Sequence, residues 1–427
     1  MIKAFGNAFR VPDLRKKILF TLLIIAVYRL GSHIPAPGID VEAAQRFAAG
    51  AQSGVFQFIN LFSGGALTQM AIFALGIMPY ITSSIIMQLL TVVIPKLEAW
   101  SKEGESGHKK ITQWTRYLTV VLAILQSTGL AFLFHNGQIT DPQGQPVDLI
   151  PNFNLGYIAL VVISLTAGTA LIMWLGELVT QRGIGNGMSI IIFTSIVSTL
   201  PSEGDLILRQ KGLGVFLIVL AMGIGIVFAI VYMEQGQRRI PVQYAKRVVG
   251  RRMYGGSSTY IPLKVNQAGV IPIIFASSVL YIPSLLQNVI HNDTIQGIFD
   301  ALVDSSSAIH MILYGTLVVF FTYFYTAITF NPTDVADNMK KYGGFIPGIR
   351  PGRQTAEYLD RILTRITLPG ALFIAAIALL PSVFLATQDL SIPFGGTSIL
   401  ITVGVTLETM KQIESQLMMR HYEGFLK

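Results

Sequence analysis

Polar and charged residues in this chain fall in short islands, and between them run apolar stretches close to the length of a membrane crossing. Ten such runs stand out, at about 18–34, 68–93, 115–134, 155–177, 187–202, 213–233, 267–290, 309–330, 366–386 and 397–417. An α-helix rises ~1.5 Å per residue, so runs near ~20 residues match a hydrocarbon core of ~30 Å. The pattern predicts an all-α polytopic membrane protein with ten transmembrane helices. One apolar piece breaks the rule. Val55 to Phe62 is closed off by Ser63-Gly64-Gly65 just before the second run, and a helix from Gly54 to Leu67 reaches only ~20 Å. A segment too short to span lies either against protein or flat at the interface. The pattern alone leaves these two readings about even.

Composition agrees with the membrane reading. The 427 residues are 52% hydrophobic and 13% charged, with a mean hydropathy of +0.58. There is no cysteine, which excludes disulfides, thiolate chemistry and Cys-ligated metals. Lys3, Arg10, Arg15, Lys16 and Lys17 lead straight into the first run, so no cleavable signal peptide is expected. Ten spans put both termini on one side of the membrane. Of the 31 Lys and Arg residues, only Arg29, Arg46, Arg209 and Lys211 fall on the other side. The positive-inside rule then predicts cytoplasmic termini. Five spans per half, 1–202 and 203–427, would turn a duplicated second half upside down relative to the first, and inverted repeats place the working site between the halves.

The chemistry of catalysis is missing. The six histidines are scattered, with no H-E-x-x-H pair, and there is no Walker loop. Gly183-Ile184-Gly185-Asn186-Gly187 follows a membrane helix rather than a strand, and is read as a tight turn and not a phosphate cradle. Arg29, Glu177, Glu234 and Glu408 lie near span ends, leaving the span interiors almost free of ionisable groups. A secondary transporter built on inverted repeats is the rival reading, but it normally needs a buried carboxylate or another polar ion site. An intramembrane enzyme would need a Ser/His or Asp/Asp pair within the spans. No catalytic residue, metal site or cofactor is expected.

Two loops on the terminus side are too long for simple connections. In the first, about 234–266, alternation at Ile240 to Tyr244 and again from Val248 to Tyr254 suggests a β-hairpin whose tip carries Lys246, Arg247, Arg251 and Arg252. In the second, about 331–365, Arg350 stands beside Pro351-Gly352. Positive-inside bias and lipid headgroups explain the sign of these loops. Their length and built-in turns favour docking to a phosphate backbone or an acidic protein surface.

IFALGIMPYITSSIIMQLL, KEGESGHKKITQWTRY, MWLGELVTQRGIGNGMSIIIF, QRRIPVQYAKRVVGRRMY, IPLKVNQAGVIPIIFASS, FNPTDVADNMKKYGGFIPGIRPG and FGGTSILITVGV together resemble the SecY family of protein-conducting channels, from the first span to the tenth. The resemblance implies two inverted five-helix halves closing around an hourglass pore in the bacterial cytoplasmic membrane. It implies a channel that passes unfolded secretory chains and releases membrane segments sideways between spans two and seven. The small subunits SecE and SecG, the SecA motor or the translating ribosome (its RNA and its tunnel-exit proteins), signal peptides, nascent chains and membrane lipids are the implied partners. Energy comes from a partner, in keeping with the absent nucleotide motif.

The resemblance also assigns residues. A re-entrant plug helix falls on about 55–67, with Phe56, Phe58, Ile59, Leu61 and Phe62 as its apolar side chains and Ser63, Gly64 and Gly65 as a swinging hinge. An apolar pore ring falls on Ile77, Ile81, Ile192, Ile196, Ile274 and Ile401. A dewetted aliphatic constriction blocks ions, yet lets a chain slide through. Ile85, Gln88, Asn266 and Ser277 fall along the lateral gate. Lys246, Arg247, Arg251, Arg252 and Arg350 fall on the ribosome and SecA docking sites.

Overall fold

A computed structural model describes residues 9, 11–40, 42–44, 60–135, 149–150, 154–244, 247–249, 252–254, 258–287, 297, 299, 301–302, 307–387 and 396–425. Phe56, Phe58, Ile59, Lys246 and Arg251 lie outside these residues. The main helices are α1 (Pro12–Gly31), α2 (Met78–Val93), α3 (Pro95–Lys102), α4 (Glu105–His135), α5 (Leu155–Arg182), α6 (Gly187–Gln235), α7 (Ile271–Gln287), α8 (Ala308–Thr329), α9 (Pro332–Lys341), α10 (Arg353–Thr387) and α11 (Gly396–Phe425). All ten apolar runs are helical over most of their length. Among the described residues, six helices are long and apolar enough to cross a membrane, and a seventh qualifies if α2 and α3, bent by 100° at Ile94-Pro95, are counted together.

Local sequence sets the helix ends. Pro12 opens α1, where its missing N–H is not needed, and Asp13 sits in the first turn. Asn186 caps α6, its side chain accepting from the Met188 and Ser189 amides. The glycine-rich run before it is the tight turn expected, with Gly185 in the left-handed region. A Cβ on Gly187 would fall 1.9 Å from the Gly176 carbonyl oxygen, so α5 and α6 meet backbone to backbone there.

Three boundaries differ from the sequence reading. The second span begins at Met78 rather than 68, and 64–77 are successive turns apart from a single bridge at Ala71. Four residues in this stretch, Gly64, Gly65, Met70 and Gly76, have positive φ, which no helix accommodates. The fifth and sixth runs are not separated by an irregular loop. Helix continues through 203–211, and the break between Gly187–Arg209 and Lys211–Gln235 centres on Gly212, at φ 80° and ψ 177°. Among the described residues, 248–249 and 252–254 do not pair with Ile240 to Tyr244.

Strand β1 (Gln237–Tyr244) instead pairs antiparallel with β4 (Ser258–Lys264), while β2 (Arg247–Val249) pairs with β3 (Arg252–Tyr254) further out on the same hairpin. A two-residue strand from the second long loop, β5 (Gly344–Phe345), adds to the other edge of β1. Ile240, Val242 and Leu263 of the hairpin share a core with Met339, Ile346, Leu359 and Ile362 of the second loop and α10. The two long loops are one folded unit.

Candidate pore and docking site

The six isoleucines assigned to a ring come from four stretches of chain: Ile77 and Ile81 around the start of α2, Ile192 and Ile196 on α6, Ile274 on α7 and Ile401 on α11. All six are buried and belong to one continuous hydrophobic cluster. Ile192 and Ile196 lie four apart and share a helical face. Leu61, Phe62 and Ala66 belong to the same cluster, so the described part of the short apolar segment packs into the body of the protein. Phe62 is 1% exposed and Leu67 is fully buried. For these residues, the flat interfacial helix does not hold.

The hinge is more firmly held than its Ser-Gly-Gly composition suggests. The Tyr28 hydroxyl donates to the Ser63 carbonyl at 3.0 Å and lies 2.6 Å from Ser195 Oγ. Arg29 Nη1 donates to the Gly64 carbonyl at 2.8 Å and to Ser198 Oγ at 2.9 Å. A Cβ on Gly64 would sit 2.9 Å from Ser195 Cα, and one on Gly76 would sit 2.9 Å from the Phe62 carbonyl oxygen. These glycines serve close approach and left-handed backbone. They do not leave the turn loose. The segment is further tied to the stretch after α1, where Ala36 N donates to the Met70 carbonyl and Ile72 N to that of Ile34.

Sequence reasoning missed Tyr28, Ser195 and Ser198. Arg29 was placed at a span end, but its partners were not identified. The one available signal was a Tyr-Arg pair closing an otherwise apolar run.

Helix α2, carrying Ile85 and Gln88, packs against α7, carrying Ser277. Ile85 lies in the central cluster, and Ser277 Oγ donates to the Ile273 carbonyl within its own helix. Gln88 is half-buried. Asn266 is buried in the turn before α7, and its amide nitrogen donates to Glu234 Oε2 and to the Gly269 carbonyl, both at 3.0 Å. Helices α4 and α5 are joined by a two-pronged ion pair, Arg116 Nε to Glu177 Oε1 at 2.7 Å and Nη2 to Oε2 at 2.6 Å. Among the described residues no group of three His, Asp or Glu side chains gathers to hold a metal ion.

Arg247 and Arg252 lie on the paired strands β2 and β3. Arg350 is exposed, in a turn bounded by left-handed Gly348 and Gly352, and its carbonyl accepts from Thr355 Oγ1 at 2.9 Å. The sheet beneath carries an exposed contact of its own, with the Arg239 guanidinium 4.8 Å from the centre of the Tyr260 ring.

Residues 71–410 match the family model described as SecY. The chain is 57% identical over 442 residues to the protein translocase subunit SecY of Streptomyces scabiei, and the match covers 100% of both chains. It is 53% identical over 447 residues to the SecY subunit of Mycobacterium bovis, again with 100% of both chains covered. Its fold is similar to that of a solved protein-conducting channel, at a TM-score of 0.65 and 18% identity, covering 94% of this chain and 92% of the other. A structure reported for the plug domain of SecY, said to stabilise the closed state of that channel, gives a TM-score of 0.64 at 18% identity, with 94% and 92% covered. Sec61 from a canine ribosome–channel complex of the endoplasmic reticulum gives 0.60 at 17% identity, with the same coverage. These are channels and translocase subunits; the secondary-transporter reading finds no support among them.

Proposed function

The chain belongs to the SecY family, and from that premise we propose that it forms the pore through which unfolded secretory chains cross the bacterial cytoplasmic membrane. The observation that carries this reading is the central cluster: six buried isoleucines from four stretches of chain, with Leu61 and Phe62 packed beside them. An aliphatic ring dewets and resists ions, and it offers a passing chain no polar group to bind. The conducted chain supplies the chemistry. This protein supplies the path.

The halves 1–202 and 203–427 form the two walls, inverted relative to each other, with both termini in the cytoplasm. Residues of about 55–67 form the plug. Membrane segments leave between α2 and α7, past Ile85, Gln88, Asn266 and Ser277. SecE and SecG complete the channel, and SecA or the translating ribosome docks on the joined loops through Arg247, Arg251, Arg252 and Arg350. Anionic lipid headgroups neutralise the remaining basic residues on that face.

The test is transport itself. The chain is reconstituted with its small subunits into vesicles and given the motor, ATP and an unfolded precursor carrying a signal sequence. Protease-protected precursor inside the vesicles is the expected result. Vesicles that protect no precursor but accumulate a small solute would overturn the reading in favour of the transporter.

A further inference from the structure

The polar contacts at the C-terminal end of α1 suit a specific task. Tyr28 is completely buried and stacks on Phe73, with ring centres 5.8 Å apart, so its hydroxyl is held in place by packing. That hydroxyl meets both the Ser63 carbonyl (3.0 Å) and Ser195 Oγ (2.6 Å), and Ser195 Oγ also lies 3.0 Å from the Ile191 carbonyl. Two hydroxyl protons therefore serve three contacts. In one arrangement Tyr28 donates to Ser63 and Ser195 donates to Tyr28. In the other, Tyr28 donates to Ser195 and Ser195 to Ile191, and the Ser63 carbonyl is not needed.

That second arrangement matters because an unpaired buried hydroxyl is costly. Here the departure of Ser63 leaves neither hydroxyl without a partner. Arg29 behaves similarly. Its Nη1 bonds the Gly64 carbonyl and Ser198 Oγ, while the Ser198 hydroxyl donates to the Ser195 carbonyl at 2.7 Å. Arg29 is only partly buried, so water replaces the Gly64 carbonyl when the turn moves away.

We propose that Tyr28 and Arg29 form a releasable latch that positions the base of the plug against α6 and sets how often the resting channel opens. The inference rests on the channel reading above. Its residues act on the plug through Ser63 and Gly64, and they need touch no translocating chain.

The test uses the channel complex with its small subunits in planar bilayers, without substrate, and compares the parent with Tyr28→Phe, Ser195→Ala and the double variant. Tyr28→Phe keeps the ring stack and removes only the hydroxyl. The expected result is a roughly five-fold rise in resting open fraction, the scale of one net hydrogen bond. Ser195→Ala keeps the Tyr28–Ser63 bond and removes only the alternative partner, so on its own it should not raise the open fraction above the parent's. The double variant should match Tyr28→Phe, because the shared hydroxyl is gone in both. Arg29→Gln gives a second reading if Tyr28→Phe inserts poorly.

Ile401→Asn, in the ring, is the reference. If it leaks while Tyr28→Phe matches the parent, the latch is overturned and the channel reading stands, even if the Tyr28→Phe complex melts at a lower temperature. A double variant that opens more often than Tyr28→Phe overturns it too. If Ile401→Asn is silent and the complex exports nothing, the channel reading falls, and the latch falls with it.

Discussion

Gln243 and Phe345 belong to different long loops and sit opposite each other across the β1–β5 ladder. Together with the core of Ile240, Val242, Leu263 and Ile346, this pairing makes the hairpin depend on residues far along the chain. Ile346 is 3% exposed, and truncating a buried isoleucine to alanine costs about 2–5 kcal/mol. Ile346→Ala should therefore loosen the hairpin as well as its own loop. The measurement is limited trypsin cleavage within 234–266, which should speed up in the variant. Unchanged cleavage would mean that the loops fold separately.

The proposed docking role is testable residue by residue. Arg350→Glu reverses an exposed charge in a turn held by Gly348, Gly352 and the Thr355 hydrogen bond. The fold should survive, and motor-driven export should fall several-fold. Normal export from a stably expressed variant would remove Arg350 from the docking surface. For the ribosome, Arg247→Glu with Arg251→Glu should lower affinity, and the salt dependence should flatten by ~1 in slope for each phosphate no longer neutralised. An unchanged slope would point to a protein surface rather than RNA.

Much of the fold is legible from the spacing of apolar runs, because a membrane crossing needs only length and hydrophobicity. The strand at Gly344-Phe345 is too short to leave a pattern, so the union of the two loops appears only once the chain is folded. The ring is a different case. Ile81 is 8% exposed and Ile309 is 57% exposed, yet both are isoleucines in apolar helices, and no local signal separates a pore position from a lipid-facing one. Only the family resemblance singled out the six. Ser63-Gly64-Gly65 is legible only in part for a physical reason: glycine signals freedom in an isolated chain, whereas in the fold Gly64 and Gly65 also meet a demand for positive φ, and Gly64 lies against Ser195. The hydrogen bonds from Tyr28 and Arg29 join distant segments, and sequence spacing carries no trace of them.

Polar substitution in the ring should favour opening. Ile274 and Ile401 are 8% and 1% exposed within the central cluster. An asparagine at either position puts an amide among the aliphatic side chains of that cluster, and a buried amide without a hydrogen bond is costly. Water entry relieves that cost, so Ile274→Asn and Ile401→Asn should shift the channel toward its hydrated, open form. Precursors with weakened signal sequences should then be exported several-fold better than by the parent. If export of such precursors does not rise, these isoleucines are packing residues.

The last prediction asks whether the base of the plug moves at all. Leu61 and Phe62 are core residues and Ser63 and Gly64 are bonded to α1, so excising 56–66 would remove structure as well as a plug, and a leak from that deletion would prove little. A covalent lock is cleaner. A Cβ built on Gly64 lies 3.2 Å from Ser198 Oγ, close to the ~3 Å that separates a cysteine Cβ from its partner's sulfur once the S–S bond is ~2.04 Å. The chain has no cysteine, so Gly64→Cys with Ser198→Cys has no competing thiol. The cost is strain, because φ at position 64 is +66°, which costs a side chain there about 1–2 kcal/mol, and because the new Cβ presses on Ser195 Cα at 2.9 Å, so α6 must give slightly. The reduced double variant should still fold and export. Under oxidation the crosslink should form and export should stop, and reductant should restore it. Complete crosslinking with undiminished export would mean that chains pass while residue 64 stays against α6, which would place any moving barrier upstream of the glycines.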